Sequence, residues 1–178
     1  MASRALSAVE IGEASVVFGG ALHYDRVRVS EDAGWPDSLD RLAASLKGTP
    51  PPAGHNAITV AHHSYFPVSL RTVGADIQAG VFTDMAWLIH ELTHAWQYEH
   101  IGIVYLFRAI DVQIRLGRAA YDYGGAAGLH FAQVASPALS HFNVEQQGDI
   151  ARDYYLRKSE GLDTTDWEPF VAQMRLPA

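Results

Sequence analysis

Apolar residues recur at two different spacings along the chain. In the first half they come in short groups. Ser7 followed by Glu10 has the spacing of a capping box, and Gly19-Gly20 closes the segment behind it, which predicts a first helix. Residues 23–30 alternate around Val27 and Val29, as a half-buried strand does. Residues 37–47 place Leu39, Leu42 and Leu46 on one helical face, with Gly48 as the stop. Three consecutive prolines in residues 48–54 cannot continue a helix and predict an extended loop. Residues 57–66 are rich in β-formers and predict a strand ended by Pro67. A further strand is expected over 68–73 and a turn region over 74–80.

The second half reads as helical. Thr83 or Asp84 caps a helix running to about Tyr98, and an apolar helix over 103–116 stops at Gly117. Residues 121–128 form a glycine-rich loop. Asn143 caps a helix to about Lys158, with Gly161 behind it, and Thr165 or Asp166 opens a last short helix ending near Pro177. A few strands followed by packed helices is the α+β pattern. The 178 residues fit one domain, strand-containing over about residues 1–80 and helical over about 81–178.

Composition narrows the classes. Hydrophobic residues make up 48% and charged residues 19%, enough apolar material for a core and too much for a disordered chain. The net charge of −7 leaves no basic footprint, which argues against nucleic acid or an anionic membrane as partner. Neither an export signal nor a membrane span is read, because Ser7, Glu10 and Glu13 interrupt the N-terminal segment and Arg108 and Asp111 break the most apolar run. The expectation is a cytoplasmic protein, or one exported by a signal-peptide-independent route. Cysteine is absent, so disulfides, thiol nucleophiles and thiolate metal sites are excluded, and any metal must rest on His, Asp or Glu.

The strongest chemical signal is His90-Glu91-Leu92-Thr93-His94 within the predicted helix over 84–98. Positions four apart share a helix face, so both imidazoles can address one ion, and Glu91 is placed to take a proton from water at that ion. Zinc suits two imidazoles and a carboxylate. Two residues compete for third ligand. His100 matches the metzincin spacing, but Gln97 stands where that motif has glycine, so the helix should continue and turn His100 away. The other is Glu145, in a Glu-x-x-x-Asp element with Asp149 that resembles the element of gluzincins in which the glutamate is third ligand and the aspartate orients a ligand histidine. Asp149 falls on the same helix face as Glu145, as that role needs.

More widely, residues 14–28, His90 to Gln97, Tyr121-Asp122-Tyr123 and Phe142 to Tyr155 resemble short bacterial zincin-like proteins labelled Vgr-related, associated by name with type VI secretion. The resemblance implies a compact zincin-like fold, with a small twisted sheet packed on the active-site helix and a helical C-terminal half. It implies metal ligands His90, His94 and Glu145, with Asp149 behind them.

For the oxyanion, Tyr121 and Tyr123 are the first candidates, with Tyr154, His141 and His130 as others. Trp87 and Trp96 are expected in the core, and His62-His63 at the surface or as satisfied core residues. The expected activity is hydrolysis of peptide bonds by a zinc metallopeptidase, with a peptide or protein as substrate lying along residues 57–66. The alternatives are a non-catalytic zinc-containing adaptor of a secretion-type assembly and a hydrolase of cell-wall peptide cross-links. A partner from a secretion machinery, or an inhibitory partner, is also expected.

Overall fold

The computed structural model describes residues 3–34 and 56–177. The helix expected over 37–47 and the proline loop over 48–54 lie outside the described residues. The architecture is mixed α+β and mostly helical. After a two-residue strand β1 (Ser3–Arg4), helix α1 (Ala8–Phe18) starts at the predicted capping box. Ser7 Oγ accepts from the Glu10 N–H, and the Glu10 carboxylate accepts from the Ser7 N–H. The same carboxylate accepts from the Arg4 guanidinium and from the Thr72 hydroxyl, tying β1 and a distant loop to the helix start.

Strands β2 (Arg28–Ser30), β3 (Ile58–Val60) and β4 (His63–Tyr65) complete a four-stranded sheet of order β1-β2-β4-β3. β1 runs antiparallel to β2, β2 parallel to β4, and β4 antiparallel to β3, which forms an edge among the described residues. The strand expected over 57–66 is therefore two strands. The chain reverses between them, with Ala61 at φ 55°, a left-handed conformation rare for a residue with a Cβ. The strand expected over 23–30 forms only in its last three residues. That over 68–73 does not form: the Arg71 N–H donates to the Asp84 carboxylate instead of to a neighbouring strand. The expected turn over 74–80 contains a short helix, α2 (Gly74–Gln78).

Helix α3 (Thr83–Ile101) carries the histidine motif and ends at Gly102, with φ 66°. Neither Thr83 nor Asp84 caps it: Phe82 stands at the cap position and supplies no side-chain bond. α4 (Val104–Leu116) stops at Gly117 as predicted and is followed by a 3-10 turn over Gly117–Tyr121. The loop expected over 121–128 instead feeds α5 (Gly125–Ala135). Its glycines serve the helix entry, since a Cβ on Gly128 would lie 2.1 Å from the Tyr123 carbonyl oxygen. α6 (Val144–Ser159) opens at Asn143, whose side chain accepts from the N–H groups of Glu145 and Gln146. α7 (Glu168–Met174) closes the chain, starting later than Thr165 or Asp166.

The core joins α1, α3, α6, α7 and the sheet through Phe18, Val29, Phe66, Leu88, Leu92, Ile150, Tyr155 and Phe170. Each such side chain contributes about 1.5–3 kcal/mol on burial. α3 is buried on every side from Leu88 to Gln97, so its histidines and Glu91 lie inside the protein. Trp96 is core, as expected. Among the described residues, no helix is long and apolar enough to cross a membrane.

Candidate metal centre

α3 and α6 press against each other, and their facing sides carry His90, His94, Glu145 and Asp149. Close approach requires a small residue on α6. A Cβ added at Gly148 would come within 2.6 Å of the His90 ring. His90 Nε2 lies 3.3 Å and His94 Nε2 3.6 Å from the same oxygen, Glu145 Oε2. Among the described residues these three side chains form the one group of His, Asp or Glu whose ligand atoms converge, all within 4.8 Å of one another. All three are buried.

The other ring nitrogens are occupied. His90 Nδ1 donates to Asp149 Oδ1 at 2.9 Å, and Arg152 holds that carboxylate from behind. His94 Nδ1 donates to Gln97 Oε1 at 2.8 Å. Both Nε2 atoms therefore face the gap in front of Glu145, where two nitrogens and one oxygen could hold a cation. The electrostatics agree. Burial alone would push Glu145 up and the imidazoles down. The hydrogen bond of His90 to Asp149 and the attraction between Glu145 and the two imidazoles win, so the Glu145 carboxyl sits far below its ordinary value and both histidines above theirs. The pocket favours positive charge, and its donor set fits a zinc-type ion.

Glu91 stands beside this group, with Oε2 accepting from the Thr59 hydroxyl at 2.7 Å. Ser64 in turn donates to Thr59 Oγ1, at 2.8 Å. Edge strand β3 thus orients Glu91. A cleft of about 660 Å³ opens over the cluster, walled by Ile58, Val60, Trp87, Leu106 and Ile110. Trp87, expected as core, packs partly against Phe66 but also lines this cleft.

Tyr121 also faces the cleft, with its ring centroid 6.1 Å from that of His90. Gln113 on α4 donates to the Tyr121 hydroxyl at 2.7 Å and to Glu145 Oε1 at 3.1 Å. Burial, then the charges of Glu145 and Glu91, hold the Tyr121 hydroxyl well above its ordinary value, so it keeps its proton.

Tyr123 is not brought to the cleft. Its hydroxyl donates to Asp153 at 2.6 Å and accepts from Trp167 Nε1 at 3.1 Å, which makes it a core brace. Tyr154 is likewise engaged, between Glu168 and Arg175. His130 lies against Asp166, and His141 lines a separate cavity with His100. His100 packs tilted against the Trp96 ring, with centroids 4.0 Å apart, and its Nδ1 donates to the Trp96 carbonyl. The continuous helix carries it off the face that bears His90 and His94. His62 contacts Glu99 at 2.8 Å.

Sequence reasoning missed Gln97, Thr59 and Gln113. Gln97 drew notice only as a missing glycine, although three residues after His94 it lies on the same side of the helix. Thr59 and Gln113 come from elements far along the chain and carry no local signal.

The site and fold together define an α+β chain with a buried His-His-Glu cluster that could hold a metal ion, under a cleft. A stretch of 160 residues is 34% identical to the type VI secretion system spike protein VgrG2b of Pseudomonas aeruginosa, covering 89% of this chain. The match takes in 13% of that protein, so the chain spans about an eighth of the length of the curated relative it matches. No family model and no solved structure matches the chain.

Proposed function

We propose that the protein is a zinc-dependent metallopeptidase of zincin type, hydrolysing peptide bonds in a peptide or protein substrate. The observation that carries this reading is the convergence of His90 Nε2, His94 Nε2 and Glu145 Oε2 beside Glu91, beneath a cleft bordered by an edge strand. His90, His94 and Glu145 would hold the ion, with Asp149 and Gln97 fixing the two imidazoles. Zinc, when bound, supplies an acidified water and polarises the scissile carbonyl.

Glu91 then serves as general base for the attacking water and returns the proton to the leaving amine. Its orientation by Thr59 keeps the accepting oxygen beside the cluster. Tyr121 is the donor available for the developing oxyanion, in place of Tyr123. The substrate backbone pairs with edge strand β3, and its apolar side chains enter the cleft between Trp87 and Ile110.

The VgrG2b relative supports placing this activity in a type VI secretion context, with export by a signal-peptide-independent route and secretion machinery as partner. It equally supports a second reading, a non-catalytic zinc-holding adaptor of such an assembly. Glu91 favours catalysis, since a closed structural site has no use for a base next to its ligands. Zinc-loaded wild type and Glu91→Gln, incubated with an unstructured protein and with cell-wall peptides, separate these readings. Cleavage by wild type alone, with zinc retained in both, is expected, and the pool that is cut names the substrate. Zinc retained with no cleavage of either pool would sink the peptidase reading in favour of the adaptor.

A further inference from the structure

We propose that Gln97 and Gln147 form a relay that holds the Nδ1–H of His94 and so fixes the orientation of its ring, making Gln97 a positioning residue for the metal. The inference rests on the zinc reading above. It follows from which atoms can donate. Backbone carbonyls only accept, so the nitrogen of the Gln147 amide must face the carbonyls of Leu139 and Phe142, to which it donates at 3.2 and 2.9 Å. That turns Gln147 Oε1 toward Gln97, where it accepts from Gln97 Nε2 at 2.9 Å. The other Nε2 hydrogen of Gln97 goes to the Val144 carbonyl, also at 2.9 Å. Gln97 Oε1 is left facing His94 Nδ1 at 2.8 Å. An amide oxygen accepts only, so Nδ1 carries a hydrogen and Nε2 is the nitrogen turned to the cluster.

Three fixed carbonyls thus hold a hydrogen on Nδ1, through an amide that is 1% exposed and cannot rotate without losing two hydrogen bonds. The two histidines are oriented by different chemistry. His90 has the carboxylate of Asp149, whereas His94 has a neutral amide. The relay orients His94 without adding another anion to a pocket that already holds Glu91, Glu145 and Asp149.

The test measures zinc affinity by chelator competition and the thermal midpoint of the metal-free protein, for wild type, Gln97→Met, Gln97→Glu and Gln147→Met. Gln97→Met fills the same volume without an acceptor and is expected to weaken zinc binding by about 10–100-fold. Gln147→Met should weaken it less, because Val144 still holds Gln97. Gln97→Glu keeps an acceptor for Nδ1–H and should retain the affinity while lowering the metal-free midpoint, since its carboxylate faces two acceptors. Nitrogen-15 NMR of the zinc-loaded wild type should show a slowly exchanging His94 Nδ1–H that exchanges rapidly in Gln97→Met. Wild-type affinity in Gln97→Met, with only its midpoint lowered, overturns the relay and leaves the zinc reading standing. A wild type that binds no zinc overturns both.

Discussion

α3 and α6 make one wall of the cleft, and α4 makes the other. On the first wall every polar group of the cluster is held: His90 by Asp149, His94 by Gln97, and Glu91 by Thr59 reaching in from β3. On the second, α4 reaches inward through Tyr105 and Ala109, while Phe107 and Ile114 stay well exposed and Ile110 borders the cleft. One polar side chain of α4, Gln113, crosses to Glu145. The first wall holds its atoms in place, as the proposed ligand set requires, since such a set tolerates little displacement. The second offers apolar surface that different side chains can meet without a unique geometry.

Substitutions on the two walls should therefore fail differently. The largest effect belongs to the fixed wall. Glu91→Gln removes the base and leaves the ligands, so turnover should fall by about 10²- to 10⁴-fold at unchanged zinc content. Steady-state kinetics beside metal analysis reads both, and a variant that keeps its rate would remove Glu91 from the mechanism. Next comes Gly148→Ala, whose added methyl would press on the His90 ring. A loss of about 1–3 kcal/mol in denaturant unfolding, with weaker zinc binding, is expected. An unaltered His90 environment would show that the two helices can part without cost.

The same scale of destabilisation with a different signature is expected where α4 is anchored. The Tyr105 hydroxyl donates to the Thr59 carbonyl at 2.8 Å and accepts from the Ala61 N–H at 3.1 Å. Tyr105→Phe strands both backbone groups at a cost of about 1–3 kcal/mol, but zinc affinity should stay at the wild-type value. A parallel loss of zinc would mean that the walls are not independent. The smallest effect is Phe107→Ser, on a side chain that is 66% exposed: stability should move by no more than about 0.5 kcal/mol. A larger drop in calorimetry would show that this surface is covered in the folded protein.

The walls also differ in how far the sequence disclosed them. The motif on α3 was legible because helical spacing fixes which residues share a face, and the Glu145–Asp149 pair on α6 because it resembles the gluzincin element and has that same spacing. Asn143 marked the start of α6 for the same local reason. What escaped depends on contacts between distant segments. Residues 68–73 look like a strand, but their backbone is met by Asp84 rather than by a neighbouring strand. Gly124, Gly125 and Gly128 look like a loop, although they open α5. Tyr123 and Tyr121 are indistinguishable in sequence, two positions apart, and the turn before α5 sends one to the core and the other to the cleft. Gln97 is the sharpest case, since its role depends on Gln147 and Val144, about fifty residues away in sequence.

The central claim is that His90, His94 and Glu145 hold one ion and that His100 does not. Zinc per chain, measured on purified wild type, Glu145→Ala and His100→Ala, addresses it directly. One zinc in the wild type, none in Glu145→Ala and one in His100→Ala is the predicted result. A wild type that takes up no zinc when supplied, or a His100→Ala variant that loses it, would contradict the account.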